Sequence, residues 1–343
     1  MTFLAPPTSG SRIARALLLL LLPLKLSAFP IGRYPEAGRF IDRLTEEGFP
    51  RAELVALLKE AKIEEAILRA VQRPAEAMPW HRYRKLFLTE NRIQEGVNFA
   101  ERHRALLEEV AGRYGVPPEV VVAILGVETL YGQRSGRHRI IDALSTLAFA
   151  YPKRSRFFTE ELRHLLWLSR EEGFDPLALK GSYAGAMGWP QFIPSSYRHY
   201  AVDFDRDGKR DLWRAGDAVA SIAHYLQSHG WRKGEPVATP IAPVPGRLVG
   251  DGLHPPEWTV GALRHAGVPV PARFPDHLQA MVVRLEGERG PQYWLAFHNF
   301  YVITRYNHSP LYAMAVYQLS RAIRSRLHEV HPDHAGRGTR STR

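Results

Sequence analysis

Apolar residues recur at steps of three and four positions over most of this chain, and this spacing predicts a mainly helical protein. The pattern is already clear at Phe40, Ile41 and Leu44, and it resumes after Pro50, a residue type that commonly opens a helix. These positions predict helices within residues 39–72. The same spacing predicts further helices over residues 91–114, from Glu119 onwards, and over residues 157–169, 217–230 and 312–327.

The helical pattern stops between residues 237 and 288. Eight prolines interrupt this stretch, and they separate short runs of β-favouring residues, of which residues 281–285 are the clearest. This predicts a smaller, strand-containing insertion over residues 237–290. Beyond the last helix, residues 328–343 are polar and basic, and we expect them to form a mobile tail.

The N-terminus carries the pattern of an export signal. Arg12 and Arg15 precede an unbroken apolar run over residues 16–22, and the stretch ends at the small residue Ala28. This predicts a signal peptide over residues 1–28 and, once it is removed, a protein without a membrane span, because the apolar run is too short to cross a bilayer. An uncleaved anchor is the alternative, since Pro23 and Lys25 interrupt the apolar segment.

Net charge and composition limit the classes of ligand and site that this protein can have. Lys and Arg outnumber Asp and Glu by 46 to 35, and the resulting net charge of +11 favours an anionic partner. The basic residues are scattered among acids without an arginine-aromatic array, so we expect no nucleic-acid site. The chain has no cysteine, which excludes a disulfide scaffold, a thiolate zinc site, a cysteine nucleophile and a lipid-modified N-terminal cysteine.

Glu128 is the strongest candidate for acid–base chemistry. Seven of the eight residues before it are apolar, so a helix through them would be buried and would carry Glu128 at its end. Loss of water favours the neutral form of a carboxylic acid, which is the form a general acid needs. A glutamate that only caps or salt-bridges the helix end is the equally open alternative.

A second informative stretch covers residues 181–197. It combines glycines, which let backbone approach a ligand closely, with the neutral hydrogen-bonding groups of Ser182 and Gln191 and the flat faces of Tyr183, Trp189 and Tyr197. Neutral donors beside aromatic faces suit sugar rings better than phosphates. A tight helix-packing loop would show the same composition.

Several motifs together resemble one family. They are Gly126-Val127-Glu128-Thr129, residues 151–154 (YPKR), residues 180–188 (KGSYAGAMG), residues 191–197 (QFIPSSY) and residues 305–309 (RYNHS). In this order and spacing they are similar to the membrane-bound lytic murein transglycosylase B family (glycoside hydrolase family 103), and the resemblance covers roughly residues 40–323. It implies a mainly α protein with a lysozyme-like helical core.

The resemblance also implies a division of the chain. The expected parts are a signal peptide (1–28), a small N-terminal helical part (29–80), a lysozyme-like catalytic core (81–236), the strand-containing insertion (237–290), a C-terminal helical part that completes the cleft (291–327) and the basic tail (328–343). The expected location is the periplasm, and the missing cysteine argues against a lipoprotein.

The reaction implied is cleavage of the β-1,4 bond between N-acetylmuramic acid and N-acetylglucosamine in peptidoglycan, with closure of a 1,6-anhydro ring on the muramyl residue. Glu128 would be the single catalytic acid and then base, and no organic cofactor is expected. The motifs also imply a set of substrate-binding residues: Tyr83, Lys153, Arg154, Ser182, Gln191, Tyr225, Tyr306, Asn307 and Tyr312. By helical spacing alone, the last tyrosines would more often be core residues.

An acidic loop resembles an EF-hand and so implies a structural calcium ion. Acidic side chains stand at loop positions 1, 3 and 5, and Gly208 stands at position 6. The expected ligand set is Asp203, Asp205, Asp207, the backbone carbonyl of Lys209, and Asp217. The usual glutamate at position 12 is replaced by Arg214, so a solvated acidic turn is the alternative.

Two other functions remain to be separated from a transglycosylase. A lysozyme-type muramidase would hydrolyse the same polymer with a positioned water, usually with a second carboxylate. A non-catalytic murein-binding protein would not need Glu128. In every case the expected partner is the peptidoglycan glycan strand, and proteins of cell-wall synthesis or hydrolysis are open as further partners.

Overall fold

The computed structural model describes residues 29–72 and 78–330 of the chain. The predicted signal peptide and residues 331–343 of the predicted tail lie outside the described residues. Fourteen α-helices and seven strands are present in the described part, which confirms a mainly α protein with a strand-containing region.

The first nine helices run in close succession. The N-terminal part contributes α1 (Pro35–Glu46), α2 (Arg51–Glu60) and α3 (Glu65–Ala70). The next six are α4 (Trp80–Phe87), α5 (Glu90–Arg102), α6 (Arg104–Tyr114), α7 (Pro118–Thr129), α8 (Ile140–Ala150) and α9 (Ser155–Glu172). The single helical region predicted over residues 91–114 is therefore two helices, because the chain leaves the helical conformation at His103.

Five helices follow, and the strands are interleaved with them. The helices are α10 (Pro194–Tyr200), α11 (Ala215–Ser228), α12 (Val260–His265), α13 (His298–Tyr306) and α14 (Pro310–Val330). The last helix is longer than predicted: residues 328–330, which the sequence suggested as the start of a mobile tail, form its final turn. The sequence there offers no proline or glycine to end the helix earlier.

Helix α7 is the centre of the main core. Its residues 120–126 are all buried, as expected for a helix that is apolar all round, and it packs against α5, α6, α11 and α14.

Among the described residues no single helix is long and apolar enough to cross a membrane. Helices α6 and α7 reach the required length and apolar composition only when taken together, and they are bent by 111° relative to each other.

The insertion forms a second, smaller core. Its strands are β3 (Ala238–Ile241), β4 (Val249–Gly250), β5 (Trp258–Thr259), β6 (Gln279–Gly287) and β7 (Gly290–Phe297), in the order β3-β7-β6-β4, with β5 also paired to β6. Strands β6 and β7 form an antiparallel hairpin whose register closes at Gly287 and Gly290. The sheet thus continues to Phe297, past the expected boundary at residue 290, because the insertion's longest strand needs a partner.

Strands β1 (His138–Arg139) and β2 (Lys180–Gly181) form a separate antiparallel pair. Arg139 pairs with Lys180 and His138 with Gly181. This short ladder matters for the site, because it holds the glycine-rich loop that starts at Gly181 beside the segment that follows α7.

The N-terminal helices are attached to the core through Asp142 on α8. Its buried carboxylate accepts a hydrogen bond from the backbone N–H of Lys62 at 2.9 Å, and it pairs with the Arg139 guanidinium at 2.7 and 2.8 Å. Arg139 in turn donates to the Glu60 carbonyl at 2.6 Å. The Asp142 carboxylate therefore satisfies two groups, the backbone N–H of Lys62 and the guanidinium of Arg139, and both tie the connection between α2 and α3 to the start of α8.

We predict that Asp142→Ala lowers the free energy of unfolding by about 3 kcal/mol, because it removes the acceptor of the part-buried Lys62 N–H and of the partly buried Arg139 guanidinium. The control is Asp175→Ala. That exposed carboxylate accepts only a local bond from Leu177 N–H, so its loss should cost less than about 1 kcal/mol. Urea unfolding followed by circular dichroism measures both. Equal losses in the two variants would contradict the assignment.

Candidate active site

Glu128 lies in the last turn of α7 and is half-buried. Tyr312, in the first turn of α14, donates a hydrogen bond from its hydroxyl to Glu128 Oε1 at 2.6 Å. The bond joins two helices that pack along each other, so the carboxylate is fixed by the core packing. This is the central contact of the site.

Two phenols lie near the carboxylate, Tyr312 buried and Tyr306 partly buried. The ring of Tyr306 stacks on that of Tyr312, with centroids 6.3 Å apart and planes 9° from parallel. Burial, and after it the negative charge of Glu128, raises the pKa of both phenols well above the usual value. Both therefore stay protonated at neutral pH, and the Tyr312 hydroxyl acts as a donor to the carboxylate.

Tyr225 and Tyr83 complete this cluster. The ring of Tyr225 meets that of Tyr306 edge-on at 4.9 Å, and its hydroxyl donates to the Arg305 carbonyl at 2.5 Å. Tyr83 is close enough to Tyr312 to raise the pKa of that phenol further. Tyr83 and Tyr312 are 2% exposed and Tyr225 8%, so most of their ring surface belongs to the core. The burial of Tyr225 and Tyr312 agrees with the core position that helical spacing favours, whereas their place in a substrate cleft, which the family resemblance implies, stays a prediction.

The glycine-rich loop is fastened to the end of α7 by two side-chain bonds. Thr129 Oγ1 donates to the Trp189 carbonyl at 3.0 Å, and Gln191 Nε2 donates to the Ser135 carbonyl at 3.2 Å. Tyr306 adds a third bond, from its hydroxyl to the Pro190 carbonyl at 2.6 Å. Three motifs that are far apart in the sequence are thereby brought around one carboxylate.

Ser182 and Gln191 shape this loop. Ser182 Oγ accepts hydrogen bonds from the backbone N–H groups of Ala184 and Ala186 at 3.3 and 3.0 Å, so its own proton remains available to donate. Gln191 has a φ of 52°, a left-handed conformation that is costly for a residue with a side chain. Its two side-chain bonds, to Ser135 and Gly188, hold it there.

The remaining predicted binding residues lie at different distances from the cluster. Asn307 follows Tyr306 directly, at the end of α13. Lys153 and Arg154 lie on an exposed turn of 3-10 helix, and Arg154 stacks its guanidinium over the Phe157 ring at 4.2 Å. Within the described part of the chain, Lys153 makes no hydrogen bond or ion pair, so its ammonium group remains available to an anionic ligand.

The structure brings three of the predicted metal ligands together. Oxygen atoms of Asp203, Asp205 and Asp217 lie within 4.8 Å of one another. Asp217 is buried, and burial followed by the charges of Asp205 and Asp203 raises its pKa. Asp207 stands apart from this group, since its carboxylate pairs with Arg214 at 3.4 Å and accepts from the backbone of Lys209.

The sequence analysis did not predict the turn that follows α7. Leu130 and Tyr131 both adopt left-handed backbone conformations, with φ of 50° and 60°. Neither residue type favours this conformation, so only the glycine at 132 hinted at a tight end to the helix. Thr129 was visible within the family motif, but its bond to Trp189 could not be deduced from the sequence.

Comparisons with known proteins agree with the geometry. The transglycosylase SLT domain family matches residues 33–321. Membrane-bound lytic murein transglycosylase B of Escherichia coli K12 is 44% identical over 301 residues, which cover 84% of this chain and 82% of that protein.

Solved structures give the same result. The E. coli lytic transglycosylase Slt35, determined in complex with bulgecin A and in complex with calcium, is 42% identical, with TM-scores of 0.81 and 0.80 over 88% of this chain and 96% of that one. SltB3 from Pseudomonas aeruginosa, in complex with NAG-anhNAM-pentapeptide, is 32% identical, with a TM-score of 0.73 over 84% of this chain and 78% of that one. The lysozyme-like architecture expected from the motifs is confirmed.

We predict that Tyr312→Phe lowers kcat at least about tenfold with little change in KM, because Glu128 loses the donor that orients it. The matched control is Tyr317→Phe on the same helix, which also deletes a phenol bond of 2.6 Å, here to the Ala238 carbonyl. Steady-state release of soluble fragments from peptidoglycan measures both variants. An equal effect of the two substitutions would show that the bond to Glu128 has no special role.

Proposed function

The chain belongs to the membrane-bound lytic murein transglycosylase B family and is a peptidoglycan lytic transglycosylase, and we propose that Glu128 alone performs its acid and base steps. The observation that carries this assignment is the 2.6 Å bond from the Tyr312 hydroxyl to Glu128 Oε1 at the meeting point of the family motifs. A carboxylate that only capped α7 would not need a buried phenol from another helix.

In the first step Glu128 acts as the general acid. It donates its proton to the oxygen of the β-1,4 bond while the bond from that oxygen to muramyl C1 breaks. N-acetylglucosamine leaves as the free alcohol, and positive charge develops on the muramyl ring. The 2-acetamido group of the same sugar can stabilise that charge, so the enzyme needs no carboxylate nucleophile.

In the second step the Glu128 carboxylate acts as the base. It takes the proton of the muramyl C6 hydroxyl as O6 attacks C1, and the 1,6-anhydro ring closes. The proton lost in the first step is recovered, so the enzyme returns to its starting form without consuming water. The Tyr312 hydrogen bond to Oε1 would hold the carboxylate in the orientation that both proton transfers need.

Neutral polar groups hold the glycan in this proposal. Ser182 and Gln191 on the glycine-rich loop and Asn307 beside Tyr306 offer hydrogen bonds to sugar hydroxyl and acetamido groups. Tyr83, Tyr225, Tyr306 and Tyr312, whose rings are mostly buried, would contact the glycan through the edges that the core leaves exposed. The exposed Lys153 and Arg154 suit the carboxylates of peptide stems, as point charge and planar donor respectively.

The alternatives are less favoured. The relatives described above are lytic transglycosylases, and SltB3 is solved with an anhNAM ligand, which supports ring closure over hydrolysis. A binding protein without catalysis would have no need for the orientation of Glu128. Export to the periplasm after removal of residues 1–28, and contact with proteins of cell-wall synthesis or hydrolysis, remain part of the proposal.

A structural calcium ion fits the acidic loop. Three carboxylates of like charge lie within 4.8 Å of one another, one of them buried, and a divalent cation would offset their repulsion. Asp217 also accepts backbone hydrogen bonds from Phe204 and Asp211 at 2.8 and 2.7 Å, so it already organises the loop. We propose Asp203, Asp205 and Asp217 as the principal ligands, with the Lys209 carbonyl as a further ligand. Asp207 would join only by leaving Arg214.

We predict that Glu128→Gln abolishes cleavage, with kcat at least about 10³-fold lower, while binding to insoluble peptidoglycan is retained, because the amide cannot exchange a proton but keeps the side-chain shape. The control is Glu119→Gln at the other end of α7, which loses only a 3.5 Å ion pair with Arg324. Turnover is measured with purified variants. Appreciable activity of Glu128→Gln would show that Glu128 is not the catalytic acid and base.

We predict that calcium raises the melting temperature of metal-stripped protein, because an ion that binds only the folded state stabilises it. Asp203→Asn together with Asp205→Asn should remove the shift, whereas Asp175→Asn, on an exposed turn, should retain it. Thermal unfolding with and without added calcium is the measurement. If added calcium does not change the melting temperature of the unmodified protein, the assignment is wrong.

A further inference from the structure

We propose that Tyr131 is a positioning residue that sets the orientation of Glu128 by locking the last turn of α7 onto α5. The inference rests on the proposed role of Glu128. Tyr131 is 6% exposed and lies three positions after Glu128, and the family motifs that point to the site do not include it. The proposal is argued from the backbone conformation at Tyr131 and from the space between α5 and α7 that its side chain occupies.

The backbone at Tyr131 ends α7 abruptly. Leu130 N–H donates to the Gly126 carbonyl at 3.3 Å, and Tyr131 N–H donates to the Leu125 carbonyl at 3.1 Å. With two successive left-handed residues, the chain turns back over its own helix. The turn thus covers the helical residues that immediately precede Glu128, and it directs the Tyr131 side chain back along α7.

The side chain enters a slot between two helices. A Cβ on Gly126 of α7 would lie 2.5 Å from the Tyr131 hydroxyl oxygen and 2.7 Å from Cζ, and a Cβ on Gly96 of α5 would lie 2.5 Å from the same oxygen. Only glycine at both positions admits the phenol. There the hydroxyl donates to the Arg92 carbonyl on α5 at 2.7 Å, and the ring stacks on Phe99 with centroids 5.8 Å apart.

This contact fixes one side of the turn, and Thr129 fixes the other. Thr129 Oγ1 donates to the Trp189 carbonyl, and it also accepts from the Gly132 N–H at 3.0 Å. Glu128 therefore precedes a turn that is anchored to α5 through Tyr131 and to the glycine-rich loop through Thr129. Its distance to Tyr312 on α14 depends on how firmly that turn is held.

The first test is Tyr131→Phe, which keeps the ring and deletes the bond to Arg92. We expect kcat to fall about tenfold with KM changed less than about twofold, because glycan binding is retained while Glu128 loses its alignment. Tyr317→Phe, which deletes a comparable bond from α14 to the Ala238 carbonyl on β3, should lower the melting temperature similarly and leave kcat within about twofold. Unchanged kcat in Tyr131→Phe, or a loss confined to KM, would overturn the proposal.

The second test is Gly96→Ala, whose new Cβ would lie 2.5 Å from the Tyr131 hydroxyl oxygen and 2.6 Å from Ile323 Cδ1 on α14. We expect at least an about tenfold loss of kcat, and a smaller loss when Gly96→Ala is added to Tyr131→Phe, because the contact with the oxygen is then missing while the contact with Ile323 remains. Additive effects would contradict the proposal, and so would unchanged kcat in Gly96→Ala, even if Tyr131→Phe does not fold. Glu128→Gln serves as the reference: if it stays active, the proposed function itself fails, whereas an inactive Glu128→Gln with a fully active Tyr131→Phe refutes only the role of Tyr131.

Discussion

The hydrogen bond from Tyr312 to Glu128 is the contact on which the remaining arrangement depends. It requires α14 to pack along α7, and it requires a helix apolar enough to be buried on every side to end in an acid at the edge of the core. The buried phenol stays protonated, so it can donate to the carboxylate at every stage of the reaction.

A lytic transglycosylase can use one carboxylate because the substrate supplies the other groups. The muramyl C6 hydroxyl is the nucleophile, and the acetamido group can stabilise the developing charge. What the protein must supply is alignment, since proximity and orientation account for a large part of the barrier in such a reaction. In the proposed mechanism this alignment comes from the bonds of Thr129, Gln191 and Tyr306 to backbone carbonyls and from the turn at Tyr131.

The sequence predicted the helices well, because apolar spacing reports directly which face is buried, and α7 is the extreme case. The apolar run before Glu128 made this residue a candidate, with a carboxylate that only caps the helix equally open, and the family motifs implied its role and its neighbours. Other features could not be read from local pattern. The break at His103 has no proline or glycine, and the left-handed turn at Leu130 and Tyr131 places the Tyr131 side chain beside Gly126 and Gly96, on two different helices whose packing no local pattern shows. Strand β7 was missed for a similar reason, since pairing with β6 decides its conformation.

The central claim is that the sugar attacks itself while Glu128 carries the proton. Digestion of purified peptidoglycan in water enriched in oxygen-18, followed by mass spectrometry of the released muropeptides, tests it most directly. The account predicts 1,6-anhydromuramyl ends that contain no oxygen-18, because no water enters the product. Reducing muramyl ends that carry the heavy oxygen at C1 would show that water is the nucleophile, and would contradict the account.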